Sequence, residues 1–171
     1  MAGLRKGHAY SGNIKRAYTR KSKFKKKGYV KAVPQSKIVK YDMGDLKKDF
    51  PKKVHLVSKQ KVQLRHNALE SARVLINRRI HKELGPNYRL KLRVYPHHVL
   101  RENKMLTGAG ADRMQSGMQR AFGKPMGVAA QVKKGQKILT AYIEDGDVEK
   151  AKKALRAGIS RLPQKYLISV E

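Results

Sequence analysis

The sequence predicts an α+β fold in which a mixed or antiparallel sheet packs against two main helices. Short segments with alternating apolar residues, which are typical of strands, are mixed with two longer segments whose apolar residues recur every three or four positions. The two kinds of segment do not alternate strictly, as they would in a parallel βαβ fold. The 171 residues suit one domain, which we expect over 37–171, preceded by a basic extension over 1–36.

The first predicted elements are two short strands and a long helix. Strands are expected over 38–44 and 54–58. Ser58 can cap a helix that begins at Lys59 and stops at Gly85. Apolar residues at helical spacing define the face of this helix that packs on the sheet: Val62, Leu69, Ala72, Ile76 and Ile80.

The clearest strand pattern lies at 88–95, where apolar and mostly basic side chains alternate, and the strand is expected to resume after Pro96 at 97–99. Two more strands are expected at 128–132 and 137–143. The four residues between these last two strands predict a hairpin.

The C-terminal part predicts a second helix, which begins at Asp145 or Asp147, and a final strand at 165–170. The apolar face of the second helix comprises Val148, Ala151, Ala154, Leu155 and Ile159. A short, weakly amphipathic helix is also expected within 113–122. Three of its side chains are predicted to enter the core: Met114, Met118 and Phe122.

Charge is the feature that most constrains function. The chain has 41 Lys and Arg against 12 Asp and Glu, a formal net charge of +29, and this charge would repel itself strongly in a free globule. A polyanionic partner is therefore expected, with nucleic acid well ahead of acidic lipid. Residues 1–41 hold 13 of the cations and no acid. They form either a solvated tail or, as we favour, an extension that becomes ordered on RNA.

Several classes of protein do not fit. The absence of cysteine excludes disulfide scaffolds and thiolate sites. No apolar run approaches the ~20 residues that span a bilayer, and no secretory signal follows the basic start, so a soluble cytoplasmic protein is expected. His97 and His98 face opposite ways on a strand and predict no metal site. For Glu102 and Asp112, which have cations near them in sequence, ion pairing is a simpler use than acid–base catalysis.

The glycine-rich segment 103–127 has two interpretations, a phosphate-binding loop of an enzyme or a mobile finger that meets nucleic acid. Pro125 stands where a nucleotide-binding loop requires Ser or Thr, and Arg113 stands where the dinucleotide pattern requires its third Gly. No cofactor is therefore expected. The chemistry favours a flexible, glycine-containing loop over about 101–113 that reaches toward RNA.

These segments also carry a family resemblance. The chain reads NKML at 103–106, AGADR at 109–113 and MQRAFGKPMG at 118–127, with RAYTRKSKF, PQSKIVKYDMG and ALESAR earlier. It resembles, over most of its length, the universal family of large-subunit ribosomal proteins numbered sixteen and called ten-e in archaea and eukaryotes. The absence of cysteine and the high Lys and Arg content make it more similar to the archaeal members.

The resemblance implies a non-enzymatic, structural constituent of the large ribosomal subunit in the cytoplasm. It implies large-subunit rRNA, tRNA and neighbouring ribosomal proteins as partners, without a homo-oligomer. The residues expected to bind rRNA are Arg5, Lys6, Lys15, Arg16, Tyr18, Arg20, Lys21, Lys23, Lys25, Lys26, Lys27, Arg89, Arg93, Arg120 and Lys124. The residues expected to face tRNA near the peptidyl-transferase region are Arg101, Lys104, Leu106, Thr107, Gly108, Ala109, Gly110 and Arg113.

Charge alone leaves one alternative from another class. A free-standing RNA chaperone or tRNA-binding factor would have the same excess of Lys and Arg. Sedimentation distinguishes the two, because a ribosomal component stays with washed large subunits at moderate salt.

Overall fold

The computed structural model of the chain describes residues 5–11, 22, 24–119 and 121–171. Within these residues, two antiparallel sheets are formed by eight strands: β1 (Asp42–Gly44), β2 (Lys52–Ser58), β3 (Val62–Arg65), β4 (Arg89–Leu92), β5 (His98–Glu102), β6 (Lys124–Val132), β7 (Lys137–Ile143) and β8 (Tyr166–Val170). The helices described are α1 (His8–Ser11), α2 (His66–Leu84), α3 (Ala111–Met114) and α4 (Val148–Ile159). The predicted α+β class with two main helices is confirmed.

The larger sheet has the order β1-β4-β7-β2-β8, and the smaller sheet has the order β3-β6-β5. Leu56 of β2 lies opposite Leu139 of β7 on one side and Ile168 of β8 on the other. In the smaller sheet the nine-residue strand β6 is central and pairs with both neighbours. Side chains from both sheets and both long helices join one hydrophobic core cluster.

Helices α2 and α4 pack against each other at close range. A Cβ atom at Gly158 of α4 would lie 2.3 Å from Cδ1 of Ile76 in α2, so a larger residue there would require the Ile76 side chain to move. The predicted apolar faces are the buried faces, since Leu69 and Ile80 of α2 and Leu155 of α4 are fully or almost fully buried. Burial of these faces, rather than helix propensity, stabilises both helices.

The predicted start of the first long helix is wrong. The helix begins at His66 instead of Lys59, and Val62 lies in strand β3. Strand pairing overrides the helical spacing because β3 is buried and Val62 pairs with Val132 of β6. The Ser58 hydroxyl donates to the carbonyl oxygen of Gln60 at 2.6 Å and does not cap a helix.

The predicted hairpin between the strands on either side of residues 133–136 is also wrong. Strand β6 pairs with β3 and β5, whereas β7 pairs with β2 and β4, so the turn leads from one sheet to the other. The N–H of Gly135 donates to the carbonyl oxygen of Ser58 at 2.8 Å and ties the turn to the end of β2. A local turn signal cannot distinguish these two outcomes, since both use the same four residues.

The short helix expected within 113–122 is limited to α3, and its predicted core residues are exposed. Met114 has 81% of its surface accessible and Phe122 has 56%, and Met118 is exposed as well. Apolar residues at helical spacing predict a buried face here, but the chain forms an open surface instead.

Candidate nucleic-acid interface

Residues 5–10 of the basic N-terminal segment dock on the smaller sheet through the last residue of β5. Arg5 Nε donates to Glu102 Oε1 at 2.9 Å, and the Tyr10 hydroxyl donates to Glu102 Oε2 at 3.0 Å. From β3, Gln63 Nε2 donates to the Tyr10 carbonyl oxygen at 2.8 Å and Arg65 Nη1 to the Arg5 carbonyl oxygen at 3.0 Å. Side-chain and backbone bonds together fix residues 5–10 beside the loop that follows β5.

Glu102 is the electrostatic centre of this contact. Burial on its own raises the pKa of the Glu102 carboxyl, but the hydrogen bonds from Tyr10 and Arg5 and the charges of Arg5 and Lys104 outweigh it. The net effect holds the pKa below its ordinary value of 4.5, so the group is a carboxylate at neutral pH. The ion pairing predicted for Glu102 is confirmed, but its partner is Arg5, far away in sequence.

Arg101 occupies the root of the predicted loop, within β5. Its Nη1 donates to the carbonyl oxygen of Gly123 at 3.0 Å, and its Nη2 donates to the carbonyl oxygen of Tyr29. Its guanidinium lies 4.1 Å from the ring centroid of Phe122, which meets the Tyr29 ring edge-on at 6.4 Å. The expectation that Arg101 belongs to the loop itself is therefore corrected, because this residue pairs in the sheet.

Tyr29 and Phe122 form an exposed aromatic surface at this root, and each residue is 56% exposed. The Arg101 guanidinium supports the Phe122 ring through a cation–π contact. We call these three residues the aromatic platform. Such rings offer faces on which nucleobases stack.

The return of the loop into β6 depends on Gly123. Its φ is +73°, and a Cβ atom there would lie 2.6 Å from the carbonyl carbon of Glu102. A side chain at this position meets both backbone strain and a steric clash. The pairing of β5 with β6 also shifts by one residue between Leu100 and Arg101, where the strands separate into the loop.

The loop between β5 and α3 presents its side chains to solvent. Gln115 closes it internally, since Gln115 Oε1 accepts from the Leu106 N–H at 2.5 Å and Gln115 Nε2 donates to the Lys104 carbonyl oxygen at 3.4 Å. The predicted loop residues that are exposed are Lys104, Leu106, Thr107, Gly108, Ala109, Gly110 and Arg113. Nothing in the sequence signalled the role of Gln115.

The other predicted rRNA-binding residues have different surroundings. Arg89 is half-buried, donates to Asp42 at 3.2 Å and lies over the Tyr142 ring, so its guanidinium is engaged within the sheet. Lys25 begins a short 3-10 turn. The exposed members are Arg5, Lys6, Lys26, Lys27, Arg93 and Lys124. The members that lie outside the described residues are Lys15, Arg16, Tyr18, Arg20, Lys21, Lys23 and Arg120.

The described residues contain no group of three or more His, Asp or Glu side chains that could hold a metal ion. Nor does any helix in that part of the chain combine the length and apolar character needed to cross a membrane. The surface features brought together by the fold are cations, exposed aromatic rings and a projecting loop.

The fold and this surface define a cationic α+β domain on which residues 5–10 dock beside an exposed loop. The sequence pattern of the family described as Ribosomal protein L16p/L10e matches residues 15–169. The chain belongs to this family, as its motifs predicted. It is therefore a structural protein of the large ribosomal subunit and not an enzyme.

Archaeal relatives support the assignment along almost the whole chain. The large ribosomal subunit protein uL16 of Methanospirillum hungatei is 50% identical over 163 residues, which cover 95% of this chain and 92% of that protein. The protein of the same name from Methanococcus aeolicus is 48% identical over 168 residues, with 98% and 94% covered. That of Staphylothermus marinus is 49% identical over 161 residues, with 94% and 89% covered.

Proposed function

We propose that this protein binds large-subunit rRNA with its basic N-terminal segment and the root of the 103–110 loop, and that the loop faces tRNA near the peptidyl-transferase region. The protein acts in the cytoplasm, in the ribosome, with rRNA and neighbouring ribosomal proteins as partners. The observation that carries it is the bond network around Glu102, which holds Arg5 of the basic segment at the base of the loop.

Charge supports the rRNA part of the proposal. The formal net charge of +29 requires a polyanion to offset self-repulsion. Arg5 and Lys6 are exposed near the loop root, and Lys124 lies directly across from Glu102 at the start of β6. RNA phosphates beside these cations would be bound with a strong dependence on salt, since each contact releases counterions.

The aromatic platform supports binding of unpaired RNA. Tyr29 and Phe122 are large side chains that a protein in isolation gains nothing by exposing, and the Arg101 guanidinium holds Phe122 in place. Stacking of a base on an aromatic side chain contributes roughly 1–3 kcal/mol and tolerates any base. We assign the platform to rRNA bases rather than to duplex phosphates.

The loop supports the tRNA part of the proposal. Its residues have no packing on the core, and it is closed on itself by the Gln115 side chain, so it can project without disturbing the domain. We also propose the division of the chain into an extension over 1–36 and a domain over 37–171. Residues 5–10 of the extension are anchored on the domain in this arrangement.

Site-specific crosslinking in the intact particle tests the proposal. A photoreactive residue replacing Lys104 or Arg113 is expected to crosslink to tRNA, and one replacing Lys6 to large-subunit rRNA. Lys150, which is ion-paired with Asp147, is the control position. A photoreactive residue there should crosslink neither to tRNA nor to the rRNA segment that Lys6 reaches. Absence of tRNA crosslinks from both loop positions in tRNA-filled ribosomes contradicts the loop assignment.

A further inference from the structure

Five exposed lysines lie on neighbouring connections at the end of the two sheets that lies away from the loop. They come from three connections, the β2–β3 turn, the β6–β7 turn and the entry into β8, and they are Lys59, Lys61, Lys133, Lys134 and Lys165. We call this group the lysine cluster. None of its members was singled out by the sequence patterns, because the residues are far apart along the chain.

Backbone bonds hold these three connections together. The Lys59 N–H donates to the Lys165 carbonyl oxygen at 3.2 Å, next to the pairing of β2 with β8. Lys61 and Lys133 flank the pair formed by Val62 and Val132 at the end of the β3–β6 ladder. The backbone that carries the cluster is therefore held by strand ends before any partner binds.

The lysine cluster is not neutralised within the protein. None of its five ammonium groups forms an ion pair with an acid among the residues that the structure describes. Lysines that face each other at a strand end repel, which destabilises the ladder. An arrangement that accepts this cost is expected where a polyanion offsets the repulsion.

The opposite end of the larger sheet shows the contrast. Acids are concentrated there, in the segments before β2 and after β7, and lysines pair with them. The pairs are Lys48 with Glu144, Lys52 with Asp145, Lys150 with Asp147 and Lys152 with Glu149. The lysines at the two ends of the larger sheet therefore differ: four at the acidic end have carboxylate partners, whereas the five of the lysine cluster have none among the described residues.

The cluster is also distant from the surface assigned above. Strand β6 runs from Lys124 at the loop root to Val132 beside the cluster. At about 3.3 Å per residue, its nine residues separate the two regions by roughly 26 Å. A phosphate bound at the loop root is therefore too far away to contact the lysine cluster.

We propose that the lysine cluster binds the backbone phosphates of a second segment of large-subunit rRNA, so that the domain holds two RNA segments at opposite ends of β6. The inference rests on the proposed rRNA-binding function. Lysine is a compact point charge suited to phosphate without regard to base sequence. Among the neighbouring residues, Gln60 and Gly135 supply no apolar side chain and Leu167 is half-exposed. Charge therefore dominates the cluster, which favours RNA over an acidic protein.

The test is a variant in which all five lysines of the cluster are replaced by Gln. Binding of the full chain to deproteinised large-subunit rRNA is measured across a salt series, together with hydroxyl-radical footprints. Each lost phosphate contact reduces the slope of log K against log salt by about 0.9 on a duplex and about 0.7 on a single strand. Loss of five contacts is expected to reduce the slope by roughly 3.5–4.5 and to abolish one footprint while the other remains.

The matched control removes five charges at the acidic end by replacing Lys48, Lys52, Lys53, Lys150 and Lys152 with Gln. The control variant should keep both footprints and nearly all of the slope of log K against log salt. Both variants should melt cooperatively. An unchanged slope and unchanged footprints in the cluster variant overturn the inference. Binding to poly-glutamate, a model of an acidic protein, is measured as well. If the cluster variant keeps its rRNA binding but loses binding to poly-glutamate, the cluster is assigned to an acidic protein partner instead. If the wild-type chain gives no rRNA footprint, the proposed function itself is wrong.

Discussion

Glu102 shows how a single residue can hold residues 5–10 of the basic segment in place. Its side chain is only 10% accessible and accepts hydrogen bonds from both Arg5 and Tyr10. A carboxylate in so basic a chain would be expected to bind any of several nearby cations. Its position at the end of β5 directs it instead to a partner 97 residues away in sequence.

Replacing Glu102 with Gln is expected to loosen residues 5–10 and to lower stability by about 1 kcal/mol, since one charge-assisted bond is lost and Arg5 is half-exposed. The pKa of Glu102 is below 4.5 in the folded chain. Its contribution is therefore fully present above pH 4.5 and is lost as pH falls through the lowered pKa. The measurements are denaturant unfolding between pH 3 and 7 and limited proteolysis near Arg5.

The control for this substitution is Glu83→Gln, which removes an exposed acid of α2 that has no ion pair among the described residues. This control should leave the proteolysis pattern nearly unchanged. It should also leave nearly unchanged the loss of unfolding free energy as the pH falls toward 3. Equal effects of the two substitutions would show that Glu102 has no special role in docking the segment.

At the scale of elements, the pair β5–β6 forms the support of the loop. The two strands pair from His98 with Ala129 to Glu102 with Lys124, and the chain between them leaves and re-enters the sheet beside Gly123. The loop thus rises from a hydrogen-bonded base. A functional loop on a rigid base can vary its tip without loss of the fold.

Gly123→Ala is expected to destabilise this base by about 2 kcal/mol, because φ is positive and the new Cβ would meet the backbone of Glu102 at 2.6 Å. The effect should appear in the thermal unfolding midpoint and in faster amide exchange along β5.

Gly146→Ala serves as the comparison, since a Cβ there has nothing within 4 Å and its backbone is not in the left-handed region. It should change stability by less than about 0.5 kcal/mol. If Gly123→Ala is equally mild, the loop root is less constrained than its geometry indicates.

At the scale of the whole molecule, the charge is unevenly distributed. Ion-paired acids lie at one end of the larger sheet, the lysine cluster lies at the other, and Arg5 of the N-terminal segment lies beside the loop. The core that unites these regions lacks the loop residues altogether. Folding and contact with the loop's partner are therefore separable.

Replacing residues 104–110 with two glycines is expected to preserve the cooperative melt and to reduce protein synthesis by subunits assembled with the shortened chain. The segment contributes exposed side chains and no core contact. Circular dichroism follows the melt, and poly-phenylalanine synthesis on reconstituted subunits follows function.

A longer deletion that starts at Arg101 provides the contrast, because it also removes the bonds of Arg101 and Glu102 that hold the platform and the N-terminal segment. This variant should melt at a lower temperature than the shorter deletion. Loss of the cooperative melt in the shorter deletion would show that the loop belongs to the fold.

The sequence by itself determined the fold class, the buried faces of the two long helices, the need for a polyanionic partner and the family. These follow from local periodicity, composition and motifs, each of which is complete within a short stretch of chain. The sequence did not determine the start of α2, because the apolar spacing of β3 is also compatible with a helix. The pairing of Val62 with Val132 makes this segment a strand.

Only the tertiary structure decided which distant residues meet. Arg5 pairs with Glu102, Tyr29 with Phe122, and the lysine cluster assembles from three turns, because sheet pairing brings segments together that no local pattern connects. It also decided that β6 and β7 belong to different sheets and that Met114 is exposed. The physical reason is that pairing and burial depend on the whole set of surfaces available in the folded chain.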